Sequence, residues 1–174
     1  MRTQTPDGPR RGPASGILVV GGPSLHPEVR SLIQRVNHAA VTTLLPSGQP
    51  QTQLTWIDAN GTHLLVNTRP STQKFRNIQR DPRITILIWD QRDPEFYAEV
   101  RGWVVETVSG RTAIEHADLL AHRYLGGPYR GPTRRIILCI EPVRQLIRRP
   151  TWAAQTVHSG DLSETRETSP TGGD

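Results

Sequence analysis

From residue 39 to residue 147 the chain repeats one pattern: a short run rich in β-branched or alternating apolar residues, then a dense turn signal. Such a rhythm confines it to a mainly antiparallel β architecture. Residues 39–45 read as a strand, Pro46-Ser47-Gly48-Gln49-Pro50 as a turn, and residues 51–57 as the returning strand of a hairpin. Asp58-Ala59-Asn60-Gly61 contains Asn-Gly, a strong two-residue turn signal, and residues 63–66 follow as a third antiparallel strand. Residues 83–89 are near-continuously apolar, as expected of a central strand. Residues 96–108 are long enough to wrap part of a barrel, with a bend at Gly102. Residues 135–140 and 143–147 supply the last strands. Six or seven strands with short helices among them predict an α+β, mainly β domain closed or nearly closed into a barrel.

Three segments carry helical spacing instead. Val29, Leu32, Ile33 and Val36 share one face of a short helix within residues 26–36, with Pro27 near its first turn. Ser71 or Thr72 can cap a helix that turns Phe75 and Ile78 to the core and stops at Asp81-Pro82. Residues 111–124 repeat small and apolar residues at three and four, and Gly126-Gly127 closes that helix. Only 34% of the chain is hydrophobic, and the deficit sits in its two ends. Residues 1–25, with their prolines and Gly21-Gly22-Pro23, read as a flexible arm, and residues 153–174 as a disordered tail. The single domain spans residues 26–152.

A net charge of +5 invites a nucleic-acid reading, but the cations are scattered and no basic helix or aromatic platform accompanies them. A small anionic ligand fits better. Among the 21 basic residues Lys74 is the single lysine, so a compact mobile ammonium stands where arginine is otherwise the rule. Cys139, the lone cysteine, lies in an apolar run and reads as a buried strand residue. No apolar stretch is long enough to cross a bilayer, and the first residues are not signal-like, so a cytoplasmic protein is expected.

Several chemistries lack their residues. The six histidines are far apart, and His116 and His122 do not share a helix face, so no metal site is expected. No Gly-x-Ser-x-Gly elbow, Gly-x-Gly-x-x-Gly turn or phosphate loop follows a strand. Residues 67–77 offer an alternative. They lead from a strand into a helix start, where free N–H groups favour an anion, and add the hydroxyls of Thr68, Ser71 and Thr72, the amide of Gln73 and the cations Arg69 and Lys74.

Asn67-Thr68 through Lys74-Phe75-Arg76-Asn77 to Arg80-Asp81-Pro82-Arg83, then Ala98-Glu99-Val100-Arg101-Gly102, His116-Ala117-Asp118 and Tyr124-Leu125-Gly126, resembles the flavin/deazaflavin oxidoreductases of the pyridoxamine 5'-phosphate oxidase-like superfamily. The resemblance runs from about Asn37 to Gln145 and is nearest to the branch that uses the deazaflavin coenzyme F420. It implies a split β-barrel and a homodimer with cofactor sites between the subunits. It also implies that Thr72, Gln73 and Lys74 hold the cofactor phosphate with Thr68 and Arg69 adjacent, that Gln53, Leu54, Thr55 and Trp56 line the ring, and that Tyr97 reaches the same cleft. A flavin-binding relative carries Arg-Lys where this chain has Gln73-Lys74, which favours F420 over the alternative, FMN. The implied activity is hydride transfer from reduced F420 to a small oxidised acceptor, with no catalytic dyad and with His38 or solvent as the proton source. A non-catalytic cofactor-binding protein is the rival. Trp89, Trp103 and Trp152 read as packing residues.

Overall fold

The computed structural model describes residues 16–150. In chain order the elements are β1 (Ile17–Gly21), α1 (Pro27–Gln34), β2 (Ala39–Leu44), β3 (Pro50–Thr55), β4 (Asp58–Ala59), β5 (Leu64–Thr68), α2 (Gln73–Arg80), β6 (Arg83–Trp89), β7 (Tyr97–Ser109), α3 (Arg111–Leu125) and β8 (Ile136–Arg148). Every pairing is antiparallel, in the order β3-β2-β6-β7-β8-β5-β4, with β1 added to β8. The sheet is strongly bent but not closed. It is a split barrel of eight strands with β3 and β4 as free ends, where the sequence pattern predicted six or seven strands.

The split originates in β7 and β8. These 13-residue strands pair along their whole length and bend together at bulges between Arg101 and Gly102 and between Val104 and Glu106. Only glycine fits at the first bulge, because a Cβ on Gly102 would meet the Glu141 carbonyl oxygen at 2.2 Å. Pro142 lies opposite Gly102, so its missing N–H falls at the irregularity and β8 continues through it. The two strands expected at residues 135–140 and 143–147 are therefore one. Its first half pairs with β5 and its second half with β1.

Ile17–Gly21 corrects the expected arm: it is a strand, paired residue for residue with Arg144–Arg148. Five residues carry little local signal, and the edge of β8 is what orders them. Beyond β1, the fully buried Gln145 ties down the connection, accepting from the His26 N–H at 2.9 Å and donating to the Ser24 carbonyl at 2.8 Å. Residues 1–15, the 153–174 tail and Trp152 lie outside the described residues.

Helix α1 is capped by the His26 ring, which accepts from the Glu28 N–H, and buries Val29, Leu32 and Ile33. It stops before Val36, which adopts a left-handed φ of 63° and leaves the predicted helical face. The Asn-Gly signal also shifts. Asn60 Oδ1 accepts from the N–H groups of Thr62 and His63, so the turn starts at Asn60 and Asp58–Ala59 remain paired as β4. The following strand, β5, pairs with β4 and β8 rather than with β3.

Alternation decides the two faces. Val41, Ile86, Ile88, Ala98, Val100 and Ile147 point inward and meet α1 in one core. The first half of β8 is buried on both faces, because α3 lays Ala113 against Ile137 and Cys139. Cys139 is buried as read, and burial, with Glu106 nearby, pushes its thiol pKa up. Over the other half no helix among the described residues covers the outer face. There Ile17, Val19, Leu54, Trp103 and Val143 are 44–67% exposed, so Trp103 is not the packing residue its type suggested. Among the described residues no helix is long and apolar enough to cross a membrane.

Candidate cofactor site

The end of β5 and the start of α2 meet at a hydroxyl cluster. Thr72, half-buried, is the cap of α2: its Oγ1 accepts from the Phe75 N–H, donates to the Arg69 carbonyl at 2.9 Å and lies 3.0 Å from the Thr68 hydroxyl. This choice between Ser71 and Thr72 leaves the N–H groups of Gln73 and Lys74 without an acceptor among the described residues. Asn77 then fastens the helix to the β2–β3 hairpin, donating to Thr43 at 2.9 Å and to Gln51 at 3.1 Å.

Lys74 is the unusual residue here. Only 6% exposed, it has no carboxylate or hydrogen-bond partner among the described residues. Burial, and then the nearby Arg135 guanidinium, pulls its pKa down to about 8. The Arg135 pKa is itself lowered, by burial foremost and with a contribution from Arg69. Arg135 thus lies within electrostatic reach of both buried Lys74 and exposed Arg69. Beside them a cavity of about 440 Å³ opens between Arg69, Ser71, Thr133 and Arg134.

Arg135 is held from behind. Its Nε donates to Asn67 Oδ1 at 2.6 Å and its Nη1 to the Tyr129 hydroxyl at 2.9 Å. Asn67, buried, donates in turn to the Ala113 carbonyl at 2.8 Å and to His116 Nδ1 at 3.1 Å. That bond assigns the neutral His116 proton to Nε2, which donates to Asp58 Oδ2 at 3.3 Å, while Arg123 donates to Asp58 Oδ1 at 2.8 Å. Burial alone would raise the Asp58 pKa, but the bonds from His116 and Arg123 bring it below the usual carboxylate value. Asn67 opens the segment that the sequence marked, whereas Arg135, Tyr129 and Asp58 carried no sequence signal for this site. A half-buried arginine anchored on an asparagine of the neighbouring strand, 68 residues away in sequence, has no local signature.

The structure brings together Thr68, Arg69, Thr72, Gln73 and Lys74, but in differing capacities. The Gln73 amide is engaged within its own helix, donating to Asn77 and accepting from Arg76, so the residue offers its backbone N–H rather than its side chain. Gln53, Leu54 and Thr55 lie on β3, a free edge, where Gln53 and Leu54 are exposed. Register separates them: Gln53 and Thr55 sit opposite Val41 and Ala39 on the inner face, and Leu54 opposite Ala40 on the outer face. Trp56, half-buried, stacks on Tyr124 with ring centroids 5.4 Å apart. Within one chain Tyr97 lies apart from the β3 residues. It pairs with Trp89 on the outer face of β7, three strands from β3, roughly 14 Å at the usual strand spacing. Among the described residues no three His, Cys, Asp or Glu side chains gather as a metal site.

The described residues thus form a split β-barrel in which buried Lys74, at the start of α2, lies near half-buried Arg135. The chain belongs to the pyridoxamine 5'-phosphate oxidase family, whose family model matches residues 25–146. Among solved structures it is similar to an F420 reductase at 30% identity, covering 67% of this chain and 94% of that one, with a TM-score of 0.61. A putative pyridoxamine 5'-phosphate oxidase from Listeria innocua (13% identity, 69% and 94% covered, TM-score 0.53) shares the fold. So does the heme storage protein HutZ from Vibrio cholerae (13% identity, 72% and 94% covered, TM-score 0.52). No match is found among curated proteins.

Proposed function

We propose that the protein is an F420-dependent reductase that passes hydride from the reduced deazaflavin to a small oxidised organic acceptor such as an enone or quinone. The observation that carries this reading is Lys74: a largely buried lysine with no hydrogen-bond or carboxylate partner among the described residues and with a second cation, Arg135, as neighbour is set to receive an anion. A cofactor phosphate fits that need, and the similarity to an F420 reductase supports F420 as the coenzyme. Lys74, Arg135 and Arg69 would hold the phosphate with the free N–H groups of α2, and the edge of β3 with Trp56 would line the ring. Bound there, the coenzyme supplies the hydride from its ring carbon. The chain's own task is to orient the two reactants and exclude water.

The reading includes a homodimer formed through the uncovered outer face, which would carry Tyr97 and Leu54 of each subunit into the interface. Trp103→Glu on that face should shift the protein to a monomer in sedimentation; an unchanged mass would remove this part. The central test is titration with F420 and with FMN, followed by fluorescence quenching. Saturable F420 binding and oxidation of reduced F420 by added enones or quinones are expected. Binding of FMN alone would overturn the assignment, and F420 binding without turnover of any acceptor would leave a cofactor carrier instead of a reductase.

A further inference from the structure

A second cavity, of about 490 Å³, lies at the junction of α1 and β2, bounded by Arg35, Asn37, His38, Gln91, Arg92 and Tyr124. We propose that it binds the hydride acceptor, and that this acceptor is a planar conjugated carbonyl compound bearing a carboxylate. The proposal rests on the reductase reading and deepens it.

The framework of the cavity is fully engaged. Asp90, buried, accepts from Arg35 Nη1 at 2.7 Å and from the Arg92 N–H at 2.9 Å, which shapes the loop between β6 and β7. Asn37, buried, donates to the Leu32 carbonyl, accepts from the Gln91 N–H at 3.1 Å and gives its own carbonyl to the Tyr124 hydroxyl at 2.7 Å. The Gln91 amide donates to His38 Nδ1 at 2.9 Å, so the neutral imidazole carries its proton on Nε2. Val36, a β-branched residue held at φ 63°, adds a strained backbone to the wall.

Two donors are left over. His38 Nε2–H and the exposed Arg92 guanidinium have no partner among the described residues. With Asp90 neutralised by Arg35, Arg92 leaves the cavity positive. The walls between these donors are aromatic: His38 meets the Tyr124 ring edge-on at 5.3 Å, and Tyr124 stacks on Trp56 of the candidate ring platform. A cation at one side, an N–H donor at another and flat aromatic walls suit a planar molecule with a carboxylate and a polarised carbonyl. The shared Tyr124–Trp56 stack places this cavity next to the ring-lining segment rather than next to Lys74.

The test uses the full chain and two probes of equal shape, trans-cinnamate and trans-cinnamamide, titrated by calorimetry. Cinnamate should bind saturably and about tenfold more tightly than the amide. Arg92→Ala, at an exposed position, should bring cinnamate down to the level of the amide without altering the circular dichroism spectrum. Saturating inorganic phosphate should not displace cinnamate. Equal affinity for the two probes, no effect of Arg92→Ala, or displacement by phosphate would each overturn the proposal. A parallel F420 titration separates the two readings: F420 binding without cinnamate binding rejects this cavity alone, and cinnamate binding without F420 binding rejects the reductase.

Discussion

The chain at the two ends of β3 handles buried charge in opposite ways. At the α2 end, buried Lys74 and half-buried Arg135 lie near each other with no carboxylate partner among the described residues, and both are held below their usual pKa. At the His38 end, the buried charge Asp90 is matched: burial would raise its pKa, but the Arg92 N–H and Arg35 pull it below the usual value. The contrast teaches that these clusters do different work. A paired charge holds a loop in shape, whereas an uncompensated pair of cations is a cost to the folded chain that only a bound anion offsets.

The strongest way to break this comparison is Lys74→Ala, which should weaken coenzyme binding roughly 100-fold, the scale of losing hydrogen bonds to a charged group. Unchanged affinity in a fluorescence titration would remove the anion site. Lys74→Met should meanwhile stabilise the ligand-free protein by about 2 kcal/mol in urea unfolding, since it keeps volume and discards an unpaired buried charge. A loss of stability would mean that Lys74 already has a partner. Arg135→Ala should cost about tenfold in coenzyme affinity and raise the Lys74 pKa by removing the like charge. Asp90→Asn should act in the opposite sense to Lys74→Met, lowering stability by about 1 kcal/mol, a modest figure because Arg35 is half exposed. Gln73→Ala, whose amide serves only its own helix, should change affinity less than about threefold.

The same contrast appears in pH dependence. Lys74 has a folded pKa of about 8 against an ordinary 10.5, so the unfolded chain binds more protons between those values and stability of the ligand-free protein rises with pH there. Phosphate binding restores the charged form, so it takes up protons above about pH 8 and weakens as pH climbs, which calorimetry in buffers of different ionisation enthalpy would detect. For Asp90, whose folded pKa is likewise lowered, the slope has the same sign in an acidic window: rising pH relieves a cost at Lys74, whereas it adds a gain at Asp90. Its contribution is present above the ordinary carboxylate pKa and is lost as pH falls through the lowered folded value.

What the sequence by itself determined was local. Alternation set the strands and their inward residues, the spacing around Phe75 and Ile78 set α2, Gly126 ended α3 in its left-handed conformation, and the isolated Lys74 pointed to the proposed anion site. Each is a property of a few neighbouring residues. Tertiary structure decided the rest, because it depends on segments meeting from far along the chain. Only the edge of β8 makes a strand of Ile17–Gly21. Only the bulge opposite Gly102 lets Pro142 sit within a continuous β8. Only the register of β7 puts Tyr97 on the outer face of the sheet, and only the fold brings Arg135 close enough to lower the Lys74 pKa. Charge in a protein interior is governed by distance and burial, and neither can be read from neighbouring residues alone.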